Sequence, residues 1–248
     1  MHEQILSKLK SHANQKNIDG MARFGINPNN TLGVSVPVMR KMAKEIGRNH
    51  GLALQLWDSG IHEARILASM VDDPKLVTEA QLEKWVNGFD SWDVCDQCCM
   101  NLFDKTEFAY PKAIEWCKRE NEFVRRAAFA LMAALAVHDK KANDGQFERF
   151  LPKIKKYSFD ERNFVKKAVN WALRQIGKRN ANLNRLAIET ANQILRRAVA
   201  HSKNSRGALR EGIAKIDSRA ARWIAADALG ELESEKIQEK IGRKSGAI

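Results

Sequence analysis

Strand signals are nearly missing from this sequence. No sustained alternation of apolar and polar residues rich in β-branched side chains occurs, and the five prolines, Pro28, Pro37, Pro74, Pro111 and Pro152, fall where helices begin or stop. That excludes a β-sandwich or an α/β sheet as the main architecture. Cysteine is scarce too: Cys95, Cys98, Cys99 and Cys117 cluster in one region, unlike the disulfide framework of a small secreted domain, so reduced thiols are expected. Cys95-x-x-Cys98 has no second Cys or His pair at ligand spacing, which argues against structural zinc. On a helix, Cys95, Cys98, Cys99 and Leu102 share one broad face and read as small core residues.

Other absences narrow the chemistry. The six histidines are scattered without an H-E-x-x-H cluster, and no glycine-rich phosphate loop is present, so neither a catalytic metal nor a nucleotide or nicotinamide cofactor is expected. No run approaches the roughly 18 apolar residues of a membrane span. The N-terminal "MHEQILSKLKSHANQ" has no apolar stretch resembling a secretion signal. A soluble, cytoplasmic protein without a membrane partner is the expectation.

What the 248 residues do contain is helical periodicity and positive charge. Segments such as "VPVMRKMAKEIG", "AQLEKWVNGF" and "AAFALMAALAV" repeat apolar residues at helix spacing, and a 44% hydrophobic content is enough for a sizeable core. "FVRRAAFALMAAL" from Phe123 and "FVKKAVNWALRQI" from Phe164 coincide in the aromatic, the valine, two basic residues and an alanine, 41 residues apart. A weaker echo is "EARILASMV" from Glu63. That period lies within the roughly 40–47 residues of HEAT and armadillo repeats. The predicted fold is therefore all-α, an α-α superhelix of HEAT-like repeats with a concave basic groove. A single domain over 1–248 is expected, with a repeat core over about 33–230 and a basic tail over about 231–248.

The net charge is +12. A surface of that sign attracts polyanions and makes association depend on salt. Ten Lys or Arg against three acids occupy Glu148 to Asn180, and a second strip runs through Arg196, Arg197, Lys203, Arg206, Arg210, Lys215, Arg219 and Arg222. On successive units of a curved array, two such strips would line a groove for a phosphate backbone.

"DSWDVCDQCC" breaks this pattern by placing Asp90, Asp93 and Asp96 around Trp92. Residues 92 and 96 are i and i+4, on one helix face, whereas Asp93 points elsewhere. Ser91 or Asp90 reads as the N-cap and Asp93 as an acid favoured by the helix dipole, which leaves Asp96 without a local structural reason.

"GVSVPVMRKMAKEIG", "LWDSGIHEARILASMV", "SWDVCD", "FVRRAAFALMAAL" and "FVKKAVNWALRQIG" together resemble, in order and largely in spelling, the AlkD family of HEAT-like-repeat alkylpurine DNA glycosylases, from about Gly33 to Gly177 with a continuation at Ser218–Leu229. The resemblance implies an active site in the concave groove. It assigns Asp96 as the catalytic carboxylate, Trp92 and Trp171 as aromatics at the sugar, and Arg126 as the lesion-side arginine. It matches Arg174, one turn after Trp171, to a basic residue of the family. Arg125, Lys166, Lys167 and Arg174 are then expected on the DNA backbone. Trp57, Trp85, Trp116 and Trp223 are assigned to the core. In two places the sequence departs from the family: Ser91 stands where relatives often carry a second aromatic, and "HDKKANDGQF" is slightly longer than its counterpart.

The implied activity is release of cationic alkylated purines, 3-methyladenine and 7-methylguanine, from duplex DNA by a monomer. Alkylation puts a positive charge on the base and so activates the leaving group. A fixed carboxylate and aromatic faces would stabilise the oxocarbenium-like sugar, and no lysine carries a motif for Schiff-base chemistry. Two alternatives stand beside it: a non-catalytic HEAT-repeat scaffold for nucleic acid, and a protein-binding adaptor with little salt-dependent DNA affinity.

Overall fold

Fifteen α-helices run through the computed structural model, which describes residues 1–203 and 218–244, and no strand occurs among the described residues. In chain order they are α1 (His2–Ser11), α2 (Gln15–Arg23), α3 (Val36–Ile46), α4 (His50–Asp58), α5 (His62–Val71), α6 (Glu79–Asn87), α7 (Trp92–Asn101), α8 (Ala109–Trp116), α9 (Glu122–His138), α10 (Asp144–Glu148), α11 (Leu151–Tyr157), α12 (Asn163–Gly177), α13 (Ala181–Lys203), α14 (Arg219–Leu232) and α15 (Glu235–Lys244). Their starts are chemically marked. Asn14, Asn49, Thr78, Asn121, Asn143 and Ser218 each accept a first-turn backbone N–H through the side chain, and Pro37 and Pro152 sit in first turns, where no amide donor is needed. The all-α expectation holds.

The chain divides into two compact units, Met1–Ala109 and Tyr110–Ile248. In the first, α5 packs against α3, α4 and α7 and is buried along most of its length. Trp57 and Trp85 stack at 4.3 Å between ring centroids, with Phe89 and Phe103 against them and the Arg65 guanidinium 5.3 Å from the Trp57 ring. Trp57, Trp85 and Trp116 are core residues, as the sequence indicated. So are all four cysteines, none of which is in a disulfide. Burial pushes the Cys98 and Cys99 thiols well above the ordinary range, which makes them poor nucleophiles.

In the second unit, α9 is apolar almost all round, with Ala127 to Ala136 buried, because it is covered on every side. Its alanines allow close approach of α12, the helix that shares its sequence 41 residues later. Phe123 and Phe164, the matched aromatics, stack at 5.6 Å. The helix pairing expected from the repeat is thus present. Within the segment from 231 onward, α15 buries Ile237 and Ile241, one turn apart, and in the sequence Glu231, Glu233, Glu235 and Glu239 stand beside Lys236, Lys240, Arg243 and Lys244.

Candidate functional site

The first turn of α7 sorts the three carboxylates. Ser91 is the N-cap, buried, in extended conformation, but its hydroxyl does not accept a backbone N–H; it donates to Asp93 Oδ1 at 2.6 Å. Asp93 Oδ2 lies 2.8 Å from His62 Nε2, with the two side chains 16% and 3% exposed. Burial disfavours the charged form of each. For His62 the hydrogen bond and charge of Asp93, reinforced by Glu63 and Asp90, outweigh it and raise the imidazole above its ordinary value. For Asp93 the same partner, with Ser91 and the Val94 amide, holds the carboxyl below its ordinary value. The structure therefore contains an ion pair where sequence reasoning found only a dipole effect. Asp90 is more exposed and takes Arg65 at 3.3 Å and the Asn27 amide at 3.1 Å.

Asp96 lies a turn farther on, half-buried, on the face that carries Trp92. The Trp92 indole Nε1 donates to the Phe24 carbonyl at 3.1 Å, which fixes the ring's edge. Behind this turn, Glu63 is fully buried and accepts from the amides of Leu32 (2.8 Å), Gly33 (2.6 Å) and Val34 (3.2 Å). Gly33 has φ 75°, and a Cβ there would meet the Asn14 carbonyl at 2.2 Å. His62 and Glu63 both escaped sequence reasoning. The only available signal was their place at the head of "HEARILASMV", where α5 begins.

The other predicted residues belong to the second unit, and most of its arginines have internal partners. Arg126 is 5% exposed, and its Nη1 donates to the Phe164 carbonyl at 2.7 Å, tying α9 to the first turn of α12. Arg125 donates to Asp160 (2.8 Å) and to the Cys117 carbonyl (3.1 Å) and lies 4.8 Å from the Tyr157 ring. Arg162 grips the same Asp160 at 2.5 and 2.9 Å. Burial would raise the Asp160 carboxyl, but the two guanidiniums, Arg162 first, hold it below its ordinary value. Beside this clamp opens a cavity of about 550 Å³ lined by Arg125, Lys156, Tyr157, Phe159, Asp160 and Arg162, with Glu120 at its edge.

Arg174, expected on the backbone, pairs with Asp227 (3.1 Å) and Glu231 (3.0 Å) of α14. These partners lie far along the chain and are not visible in the local sequence. Lys167 is exposed, Lys166 and Trp171 are half-buried, and all three stand on α12. Trp223 is a correction: it is 41% exposed, because the buried face of α14 is made by Ala220, Ala221, Ile224, Ala225, Ala228 and Leu232 and the helix period turns residue 223 away from it. The Lys166 ammonium lies 5.7 Å from its ring centre. Of the second basic strip, Arg206, Arg210 and Lys215 lie outside the described residues, as does the side chain of Lys203.

Trp92 and Asp96 are thus brought onto one helix face in the first unit, and Arg125, Arg126, Lys166 and Lys167 onto the paired first turns of α9 and α12 in the second. Among the described residues no group of three or more His, Cys, Asp or Glu could hold a metal ion, and no helix is long and apolar enough to cross a membrane.

The profile of the family described as "DNA alkylation repair enzyme" matches residues 5–216. One solved structure similar to this chain comes from a family described as related to the HEAT-like repeat DNA glycosylases, with affinity for branched DNA structures. It has a TM-score of 0.69 and 20% identity, and the match covers 77% of this chain and 81% of that one. At that identity the likeness is one of fold. No curated protein matches the chain.

Proposed function

We propose that this chain, which belongs to the DNA alkylation repair enzyme family, is a monofunctional DNA glycosylase that hydrolyses the N-glycosidic bond of cationic alkylated purines such as 3-methyladenine and 7-methylguanine in duplex DNA. The observation that carries this reading is the pairing on α7 of Trp92 and Asp96, both half-buried and four residues apart on one helix face, with the indole edge held by the Phe24 carbonyl.

In the reaction the C1′–N bond breaks heterolytically, and the electron pair leaves with the base, which its alkyl group has already made cationic. The base departs neutral, so no general acid is required. Positive charge develops on the deoxyribose, and the Asp96 carboxylate stabilises it and orients a water for attack at C1′. The attacking water loses its proton to the carboxylate or to solvent. Trp92, its edge held by the Phe24 carbonyl, lays an electron-rich face beside the same charge. Trp171 offers the DNA an aromatic surface, and Lys166 and Lys167 take phosphates. Arg126 holds the α12 turn that presents those lysines. No cofactor takes part.

The test is incubation with methylated duplex DNA and identification of the free bases. Wild type should release 7-methylguanine and 3-methyladenine, and Asp96→Asn should release them about 100 to 1000 times more slowly while binding duplex as before. Equal rates would remove the catalytic assignment. A non-catalytic scaffold is the second reading, favoured by the solved relative with its affinity for branched DNA; it predicts binding with no free base at any time point.

A further inference from the structure

Four helices begin in one register. Counted from the N-caps Ser91, Asn121, Arg162 and Ser218, the third residue of each helix (Val94, Val124, Val165, Ala221) and the seventh (Cys98, Ala128, Val169, Ala225) are buried. The same stretch of each helix therefore faces inward. Between these anchors, the fifth position holds the half-buried Asp96 in α7, the buried Arg126 in α9 and the exposed Lys167 in α12. In α14 it holds Trp223.

An indole is an expensive residue to leave in water, and this one is 41% exposed while small residues fill the core side of its helix. An ammonium lies over its ring. The Lys166 ammonium lies 5.7 Å from the ring centre, Lys167 next to it in sequence is exposed, and Arg222 precedes the indole on α14. Asp227, one turn beyond, is held by Arg174 at 3.1 Å and by the Asn170 amide at 2.7 Å. An exposed aromatic surface with an ammonium beside it suits a partner with flat π-faces on an anionic backbone, because each base can stack and the phosphate that accompanies it meets the charge. A protein partner would use the indole but gain little from the lysines.

We infer that Trp223, with Lys166 and Lys167, is a stacking site for an unpaired base of DNA. The inference rests on the reading of this chain as a DNA-binding protein and is independent of whether it excises bases. The lysines neutralise the flanking phosphates, and the indole discriminates a nucleotide free of its partner strand from one locked in a duplex.

The experiment is an anisotropy titration of the full chain with an intact labelled duplex and with the same duplex carrying a short single-stranded gap. Wild type should bind the gapped DNA more tightly. Trp223→Ala and Trp223→Gln should each weaken gapped DNA about tenfold more than intact duplex, and Trp223→Phe, which keeps a ring, should restore most of the preference. Thermal melts of the variants, read beside the titrations, confirm that a folded chain is being compared. If wild type shows no preference for the gap, or if both truncations weaken the two DNAs equally, the stacking site is overturned. Base release by wild type is scored separately: absence of release with a Trp223-dependent gap preference sinks the glycosylase reading and leaves this one standing.

Discussion

One helical turn separates Asp93 from Asp96, and the two carboxylates meet different surroundings. Asp93 and His62 form a buried charged pair, and the sign of each shift fixes how stability responds to pH. The raised imidazole contributes fully below its ordinary value of 6.5 and loses that contribution as pH climbs through the raised value. The depressed carboxyl contributes above its ordinary value of 3.8 and loses it as pH falls through the lowered one. Urea denaturation across pH should therefore show an alkaline limb beginning above pH 6.5 and an acid limb below pH 3.8. His62→Ala should lower stability by about 3 kcal/mol near neutrality, since it strands a buried carboxylate, and should erase the alkaline limb. An unchanged limb in the variant would assign it to another group. This pair was not legible in the sequence, because its members are far apart along the chain and only packing of α5 against α7 joins them. The shared helix face of Trp92 and Asp96 was legible because their spacing is local. Trp223 was misread for a related reason: tryptophan in a helical array is usually core, and only the identity of the buried face of α14 shows that this one is not.

Pairs of helices are where the repeat becomes physical. The offset between Phe123 and Phe164 anticipated that α9 and α12 are equivalent, and a stacked ring pair joins them. What the offset could not reveal is the lock at their N-terminal ends. Asp160, with a side chain only 7% exposed, is gripped by Arg125 from α9 and by Arg162 from the N-cap of α12. Replacing it removes the carboxylate that both guanidiniums share and leaves Arg162 only the more distant charges of Glu120 and Glu122. Asp160→Asn should cost about 2 kcal/mol, less than a fully buried pair because Arg162 is partly exposed. It should also weaken DNA binding through the loosened first turn of α12, where Lys166 and Lys167 stand. Far-ultraviolet melting and the anisotropy titration check the two effects; a variant as stable as wild type would mean that the carboxylate is not the lock. The family resemblance placed Arg125 on the DNA backbone, and the sequence did not reveal its internal ion pair. The partner that captures it lies 35 residues away in sequence.

Over the whole molecule the +12 charge remains the strongest pointer to a polyanion, but it overstates how many cations a phosphate backbone can meet. The sequence counts every arginine in the strip from Glu148 to Asn180 alike. The structure divides them: Arg162 serves Asp160, Arg174 serves Asp227 and Glu231, and Arg179 donates to the Ala136 and Ala142 carbonyls, whereas Lys156 and Lys167 are exposed. Each phosphate contact releases condensed counterion, so the slope of log Kobs against log salt counts the cations that touch DNA rather than the cations that exist. Lys167→Gln should make that slope shallower by about 0.9 and weaken binding to all duplex sequences alike. Arg174→Gln should leave the slope where it was, and its effect should appear in thermal stability through the loss of the α12 to α14 bridge. Should the two substitutions exchange these signatures, Arg174 would be a groove residue after all, and the internal ion pairs would have to open when DNA binds.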